Sequence, residues 1–394
     1  MRKEFVLLSA FTLLALPLGG GLVTASNEKL NREWTVAMYI DSDNNIDYWG
    51  FIYLVEHAIA ELVPSPEVTT VIYFDALSPK GVLKIIYDKG LPDISYEKEK
   101  NFGDSELLAQ FGVETFTKYP AEKYLLLIMN HGRGWGGICV DDTDNGDVIY
   151  TPELADALSK ISCAIGRPID VLQFDACAMG NVEVIYEVAP YVNYYIASPE
   201  VVSMGTLVYL IDTLLLGLKP QISPEEYAKS VVRTSGQWLT GGYLVAYDTS
   251  GIDTLTQSLD ELAVALGTEE YREEVLEAYT NTKKYSPVLA IEEHDIPVFV
   301  DIYDLASEIE SGISDPEVKE LCKEVIERVD GLIILKSLSP SSEAVIGNGL
   351  SGTLMHYDET IPDWAHKGLL DQYSVLKFAQ DTAWDDLLAE VLYL

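Results

Sequence analysis

The stretch IDVLQFDACAMG, from Ile169 to Gly180, begins as a buried strand and ends with an acid and a cysteine. Its first six residues form a near-continuous apolar run, which is typical of a parallel strand covered on both faces. Asp175 and Cys177 follow at the carboxyl end of that run. Because functional side chains collect at this end of the strands in parallel α/β sheets, the stretch predicts both a fold class and a place for chemistry.

Similar apolar runs before and after this stretch predict the rest of the sheet. They are Trp34–Ile40, Val68–Phe74, Tyr124–Met129, Asn193–Ser198 and Gly242–Tyr247. Helical patterns lie between them, at Tyr48–Leu62, Ser105–Lys118, Pro152–Ile161 and Met179–Val188. Strands that alternate with helices predict an α/β/α sandwich with a mainly parallel central sheet.

The pattern changes after Asp248, where helices dominate. The predicted helices are Leu255–Leu266, Tyr271–Thr280, Ile302–Ile309 and Pro316–Val329, and two short strands follow them. No segment rich in proline or serine separates the two parts. We therefore predict a core over Ser26–Asp248 and a C-terminal helical lobe over Thr249–Leu394 that packs on it.

The amino terminus has the features of a targeting segment. Arg2 and Lys3 precede an uncharged apolar run, Phe5–Leu18, and Val23-Thr24-Ala25 resembles a signal-peptidase site. We predict a secretory signal over Met1–Ala25, with an uncleaved anchor as the alternative. The apolar run is short for a membrane span, and no later segment is long and apolar enough to span a bilayer. The predicted location is secreted or extracytoplasmic.

Charge and cysteine content narrow the function further. The chain has 26 Lys+Arg and 63 Asp+Glu, a formal net charge of −37. Nucleic acid and anionic membranes would be repelled, so we exclude them as partners. The four cysteines are too few for a disulfide scaffold of this length. Cys139 and Cys163 could pair in an oxidising compartment, and Cys322 fits the apolar side of a predicted helix.

A histidine follows another predicted strand in the same way as the cysteine. Tyr124–Met129 is followed by Asn130-His131-Gly132. If the two strands are neighbours, His131 and Cys177 lie at one edge of the sheet, where an imidazole could move the proton of a thiol nucleophile. The helix predicted from Met179 would favour the thiolate through its dipole. The Gly132 N–H could help hold an oxyanion.

Four segments together resemble the clostripain family of cysteine peptidases. NHGRGWGG (Asn130–Gly137) is similar to the family's histidine motif, and DVLQFDACAMGNVEVIYE (Asp170–Glu187) to its cysteine motif. WTVAMYIDSDNNID (Trp34–Asp47) resembles the family's first strand, and YYIAS (Tyr194–Ser198) the strand after the cysteine helix. The two motifs in this order and spacing are specific, although neither is specific alone.

The resemblance implies a caspase-like fold and an endopeptidase that acts on peptides or proteins with a Cys–His dyad. By position, Cys177 would be the nucleophile and His131 the general acid and base. The backbone amides of Gly132 and Cys177 would form the oxyanion hole. Asp175 would line a pocket that selects arginine or lysine before the scissile bond, because a carboxylate pairs well with either side chain.

The sequence departs from the family pattern in two places, and two alternatives stay open. Glutamates and a Gly/Trp/Tyr-rich loop usually follow Ser198 in the family, but here the chain continues PEVVSMGT. Members are often activated by cleavage after a basic residue beyond the histidine, yet Cys139–Ser159 contains no Lys or Arg. The alternatives are a non-catalytic secreted caspase-like domain that binds peptides and a cysteine hydrolase acting on a different amide.

Two acidic tracts remain ambiguous. DDTDNGD (Asp141–Asp147) could bind calcium, which some members of the family use, but its glycine is out of register with an EF-hand loop. A solvated acidic turn is the preferred interpretation. DSDNNID (Asp41–Asp47) could bind a cation or cap a helix that begins near Tyr48. No metal site and no obligatory cofactor are predicted.

Overall fold

The structure is a computed structural model of the full chain, and every structural statement below concerns the residues that it describes. These are residues 32–47, 65–77, 81–89, 92–202, 218–238, 244–286, 289–291, 294–296, 299–337, 347–354 and 363–392. Residues Asn31–Leu394 form one compact unit. Within the described ranges, no helix has both the length and the apolar character needed to span a bilayer. The predicted signal segment Met1–Ala25 and the predicted helix Tyr48–Leu62 lie outside the described residues.

A nine-stranded sheet forms the centre of the molecule, in the strand order β14-β10-β9-β8-β5-β1-β2-β3-β4. Its strands are β1 (Trp34–Ser42), β2 (Val68–Ala76), β3 (Gly81–Tyr87), β4 (Asp93–Tyr96), β5 (Lys123–Met129), β8 (Ile169–Asp175), β9 (Val192–Ala197), β10 (Leu244–Asp248) and β14 (Ile333–Ser337). The neighbours from β9 through β8, β5 and β1 to β2 run parallel, and the strands at both edges are antiparallel. The predicted α/β fold with a mainly parallel central sheet is confirmed.

Helices and three small hairpin-like pairs surround the sheet. The helices are α1 (Ser105–Lys118), α2 (Thr151–Ile165), α3 (Val182–Val188), α4 (Pro224–Trp238), α5 (Ile252–Leu266), α6 (Arg272–Asn281), α7 (Ile302–Gly312), α8 (Pro316–Leu332), α9 (Asp363–Tyr373), α10 (Lys377–Asp381) and α11 (Trp384–Leu392). The strand pairs are β6 (Ile138–Asp141) with β7 (Asp147–Ile149), β11 (Leu289–Ile291) with β12 (His294–Ile296), and β13 (Phe299–Asp301) with β15 (Ser351–Thr353). The β6–β7 hairpin was not predicted from the sequence.

The apolar runs fold as parallel strands because both of their faces are buried. Successive residues of a strand point to opposite faces. Ala37 and Tyr39 of β1 accordingly join one hydrophobic cluster, while Met38 and Ile40 join a second. The second cluster also contains the buried face of α4. Helices on both faces therefore hold the sheet rigidly, and the loops at the carboxyl ends of its strands are anchored on that base.

The prediction that a helix begins near Met179 is wrong. The helix α3 begins at Val182, because the Asn181 side chain accepts a hydrogen bond from the Val184 N–H and caps the helix there. Residues between Cys177 and Asn181 form a tight turn instead, with Ala178 at a positive φ of 57°. The cysteine is therefore separated from the helix by a bend.

The C-terminal residues share their core with the rest of the chain. The strand β14 pairs antiparallel with β10 and extends the main sheet. Buried residues of α5, α7 and α8 belong to the same hydrophobic cluster as the strands around β8. The division of the chain at Asp248 into a core and a lobe stays a prediction.

Candidate active site

Three neighbouring parallel strands bring polar residues to one edge of the sheet. The strand β5 pairs with β1 on one side and with β8 on the other, and Met129 lies opposite Asp175. His131 follows β5 by two residues, and Cys177 follows β8 by two residues. Both line a cavity of about 460 Å³, as does Gly132. The expectation that the histidine and the cysteine share one sheet edge is met.

His131 is held by an asparagine from the turn after β1. Its Nε2 lies 2.5 Å from Asn45 Oδ1. An amide oxygen can only accept a hydrogen bond, so Nε2 carries the proton in the neutral ring and Nδ1 has a free lone pair. Asn45 was not predicted as a site residue from the sequence, where its only signal was a place in a polar tract that follows a predicted strand.

Burial lowers the pKa of His131 below its ordinary value. The nearby positive charge of Arg133 lowers this pKa further, and the carboxylate of Asp142 opposes both effects. Arg133 and Asp142 are exposed and line the same cavity. The imidazole is therefore neutral at neutral pH, which is the form that can accept a proton.

Cys177 is partly exposed, and its thiol contacts backbone from a segment across the cavity. The Val202 N–H donates to Sγ at 3.3 Å, and Sγ lies 3.8 Å from the Val202 carbonyl oxygen. Burial raises the pKa of the Cys177 thiol, the Val202 N–H lowers it, and the carboxylate of Glu200 raises it. The helix α3 begins five residues after Cys177 and beyond the bend, so the stabilisation of the thiolate by the helix dipole stays a prediction.

All four cysteines are free thiols. Cys139 is buried on β6, whereas Cys163 is exposed on α2. The pairing that the sequence allowed between them is not formed. Cys322 is fully buried in the face of α8, as its spacing predicted.

Gly132 and Cys177 approach each other through their backbones. A Cβ atom on Gly132 would lie 2.2 Å from the Cys177 carbonyl oxygen, so only glycine fits there. Gly132 forms an isolated antiparallel bridge with Ile138, and the Arg133 N–H donates to the Gly137 carbonyl. In an antiparallel pairing, hydrogen-bonded and non-hydrogen-bonded pairs of residues alternate, and this bond makes Gly132 and Ile138 a non-hydrogen-bonded pair. The Gly132 N–H therefore makes no hydrogen bond to the strand that contains Ile138, and Gly132 itself lies beside Cys177.

The segment Ser198–Val202, where the family resemblance weakens, lies directly beside the cysteine. The Ala178 N–H donates to the Glu200 carbonyl at 3.1 Å, and the Gly180 N–H donates to the Ser198 carbonyl at 2.7 Å. Both oxygens of the Glu200 carboxylate accept from the Ser286 N–H at 3.2 Å. The segment therefore supplies one acid near the thiol, held by backbone from the loop after α6.

Asp175 is fully buried at the end of β8. Its Oδ1 accepts from Gln173 Nε2 at 3.1 Å, and Gln173 Oε1 accepts from the hydroxyl of Tyr227 on α4 at 3.1 Å. Within the described part of the chain, Asp175 Oδ2 has no hydrogen-bond partner. Burial raises the pKa of this carboxyl to about 7. A cationic group that reached Oδ2 would satisfy it and favour its ionised form.

The two acidic tracts do not behave as isolated turns. Asp141, the first residue of the β6–β7 tract, is fully buried and not solvated, whereas Asp147 at its other end is exposed. Asp41 and Asp43 at the end of β1 are fully buried as well. The interpretation of the first tract as a solvated turn is therefore wrong at Asp141. The two tracts meet, because the Asp142 N–H donates to the Asp43 carbonyl at 2.9 Å, and residues of both line the cavity.

Comparisons with known proteins agree with the fold. The model of the clostripain family matches residues 38–390. Clostripain of Hathewaya histolytica is 25% identical over 441 residues, covering 91% of this chain and 83% of that protein. An X-ray structure of a secreted C11 cysteine protease from Bacteroides thetaiotaomicron, bound to an irreversible peptide inhibitor, has a TM-score of 0.60 at 20% identity, over 88% of this chain and 99% of that one.

A second solved structure has a similar fold. It is an inactive zymogen C11 protease from Parabacteroides distasonis, with a TM-score of 0.63 at 18% identity, over 89% of this chain and 98% of that one. The protein is thus a cysteine endopeptidase whose substrates are peptides or proteins. The chain belongs to the clostripain family, because the family model covers most of its length.

Proposed function

We propose that this protein is an exported cysteine endopeptidase that cleaves after arginine or lysine, with Cys177 as nucleophile and His131 as general acid and base. One observation carries the proposal. Cys177 and His131, from the ends of adjacent parallel strands, line a single open cavity, and His131 is the only histidine among the described residues that lines it. A thiol and an imidazole in that relation are the parts that acyl transfer from a peptide requires.

The shifts in pKa suggest that Cys177 and His131 are both uncharged before the substrate reacts. The pKa of the Cys177 thiol is raised and that of His131 is lowered, so both groups are neutral at neutral pH. As Sγ attacks the peptide carbonyl, its proton passes to Nδ1 of His131. The imidazolium then protonates the leaving amine, a thioester remains on Sγ, and water activated by the neutral imidazole hydrolyses it.

The oxyanion of the tetrahedral intermediate needs donors beside the thiol. We assign this role to the backbone N–H groups of Gly132 and Cys177. Two observations support the assignment. The backbones of Gly132 and Cys177 approach each other closely, and the Gly132 N–H makes no hydrogen bond to the strand that contains Ile138. Donors held rigidly by the sheet stabilise the developing charge without reorganising during the reaction.

For specificity, we propose that Asp175 binds the basic side chain before the scissile bond. The support is its buried oxygen Oδ2, which has no partner among the described residues and would gain one from a guanidinium or ammonium group. Arginine is expected to bind better than lysine, because its planar fork can make two parallel bonds to a carboxylate. Glu200 supplies a second acid close to Cys177.

The test uses fluorogenic peptides that differ only in the residue before the scissile bond. Wild type should cleave after arginine and lysine, with arginine preferred. Cys177→Ala and His131→Ala should each abolish turnover. Asp175→Asn should lower kcat/KM for the basic peptides about a hundredfold or more, because a buried ion pair that loses one partner costs about 3–5 kcal/mol.

Three outcomes would each contradict a part of the proposal. Full activity of Cys177→Ala would show that Cys177 is not the nucleophile. If wild type cleaves equally after leucine and arginine, the proposed basic specificity is wrong. If Asp175→Asn keeps the arginine preference of wild type, another acid supplies the charge of the pocket. Asp170→Asn is the matched control on the same strand, since Asp170 pairs with Arg167 at the opposite end of β8.

Export is proposed from the amino-terminal sequence together with the description of the Bacteroides relative as secreted. Cleavage after Ala25 would release a mature chain that starts at Ser26. Amino-terminal sequencing of protein recovered from the culture medium measures this directly. Protein that stays in the cell with Met1 at its amino terminus would contradict the proposal.

A further inference from the structure

The cavity of the candidate active site has different charges beside its two reactive groups. Arg133 and Asp142 are the two charged side chains that shift the pKa of His131. The charged side chain that shifts the pKa of Cys177 is Glu200. An electrostatic interaction weakens with distance. Arg133 and Asp142 therefore lie nearer to the histidine, whereas Glu200 lies nearer to the cysteine.

The proposed mechanism gives the two ends of the cavity a direction along the substrate. The thiol attacks the carbonyl carbon of the scissile bond, so the residues before this bond extend from the cysteine. The imidazole protonates the leaving amine, so the residues after the bond extend past the histidine. Arg133 and Asp142 would consequently border the part of the cavity that receives the first residues after the scissile bond.

Arg133 is available to a ligand in this part of the cavity. Its side chain is exposed and lines the cavity. Within the described ranges, its guanidinium forms no ion pair. Its backbone is anchored, because the Arg133 N–H donates to the Gly137 carbonyl at 3.0 Å and the Gly136 N–H donates to the Arg133 carbonyl at 3.1 Å. The turn therefore holds a cation in place whose charge is not neutralised by a neighbour in the described part of the chain.

We propose that Arg133 selects substrates with an acidic residue at one of the first two positions after the scissile bond. A guanidinium presents its N–H donors in a planar fork that matches the two oxygens of a carboxylate. Preferred cleavage sites would then have arginine or lysine before the bond and aspartate or glutamate soon after it. This inference rests on the proposed function, because the roles of Cys177 and His131 set the direction of the substrate.

The charge of the rest of the molecule would act against such a preference. The net charge of −37 repels acidic peptides in general. Asp142, which is exposed in the same cavity, would repel an acidic side chain as well. Arg133 is the only lysine or arginine that lines the cavity among the described residues. A gain from an acidic residue after the bond would therefore identify Arg133 as its source.

The test uses peptides with one arginine before the scissile bond and with glutamate, glutamine or lysine at the first or the second position after it. Wild type should cleave the better glutamate peptide with a kcat/KM about two- to fivefold above that of its glutamine counterpart, the gain expected from one exposed ion pair. Arg133→Gln should lose this gain, and Arg133→Glu should prefer lysine to glutamate. Each ratio compares two peptides on one variant, so the effect of Arg133 on the pKa of His131 cancels.

Three controls separate this contact from general electrostatics. Arg133→Lys keeps the positive charge and should keep most of the gain. Arg233→Gln, at an exposed arginine of α4 that does not line the cavity, should keep all of it. Salt at 1 M, which screens exposed charges over about 3 Å, should reduce the gain in wild type. A glutamate placed two positions before the scissile bond should give no gain.

A binding measurement tests the proposal separately from the catalytic roles. By fluorescence anisotropy, Cys177→Ala should bind the uncleaved glutamate peptide about two- to fivefold more tightly than the glutamine peptide, and the double variant Cys177→Ala/Arg133→Gln should bind both equally. Equal Kd values of Cys177→Ala for the two peptides would overturn the proposal, as would a glutamate gain that persists in Arg133→Gln. If wild type cleaves none of the peptides, the proposed function is wrong, and the binding of the peptides still decides the role of Arg133.

Discussion

His131 lies between two exposed side chains of opposite charge. Its pKa is lowered by burial first and by Arg133 second, and Asp142 raises it. In the proposed mechanism the imidazole must be neutral to take the thiol proton, so activity is lost as the pH falls through the pKa of His131. The two neighbouring charges consequently control the acid side of the pH profile without touching the reacting atoms.

Replacing these two charges should move the acid limb of the kcat/KM profile in opposite directions. Arg133→Gln removes the cation that lowers the pKa of His131, so the limb should move to higher pH. Asp142→Asn removes the anion that raises this pKa, so the limb should move to lower pH. The measurement is kcat/KM between pH 4.5 and 9 with one arginine peptide, at low ionic strength.

High salt provides the control for this pair. Interactions between exposed charges are screened over about 3 Å at 1 M salt, so the profiles of both variants should approach that of wild type there. A shift of both variants in the same direction would show that His131 does not set the acid limb. Glu153→Gln, on the exposed first turn of α2, should leave the profile where it is.

At the scale of elements, the helix α7 is held by a buried cap. Asp301 is fully buried at the end of β13 and accepts from the Asp304 N–H at 2.8 Å, as expected for an N-cap. Its carboxylate also accepts from the hydroxyl of Tyr285 at 2.7 Å and from the N–H groups of Asn348 and Gly349. One side chain thus joins three segments of the chain.

Asp301→Ala should destabilise the protein by about 3 kcal/mol or more. The substitution removes the cap and takes this acceptor away from the N–H groups of Asn348 and Gly349, and each buried group left unsatisfied costs about 1–3 kcal/mol. Urea unfolding followed by circular dichroism measures the change. An exposed cap is the matched control: Asp104→Ala at α1 should cost only about 1 kcal/mol.

Equal costs at the two caps would contradict this account of Asp301. The same comparison also bears on the C-terminal residues, because Asp301 joins β13 to the loop before β15. If the two parts of the chain unfold together, Asp301→Ala should lower the single transition midpoint and leave the slope unchanged.

On the scale of the whole molecule, acidic residues lie both on the surface and in the interior. The net charge of −37 keeps the surface negative. Several acids are nevertheless buried, and Asp43, Asp75 and Asp175 among them lie at the carboxyl ends of β1, β2 and β8. Asp175 is the acid at that edge to which we assign the basic side chain of the substrate.

The sequence alone determined the sheet and the main residues of the candidate site. Apolar runs with both faces buried are recognisable one strand at a time, and a residue that follows such a run must lie at the strand's carboxyl end. His131, Gly132 and Cys177 could be found for that reason. Their roles were inferred from paired motifs at a characteristic spacing, which is also local information.

Only the tertiary structure decided which distant residues meet. Asn45 contacts His131 across 86 residues of sequence. Asp75 lies close to Asp43 and Asp141 only because β1 pairs with β2 and the β6–β7 hairpin lies against the ends of these strands. The pKa values of His131 and Cys177 likewise depend on burial and on neighbours from other loops. Strand order and register fix these distances, and a single sequence carries no local signal for either.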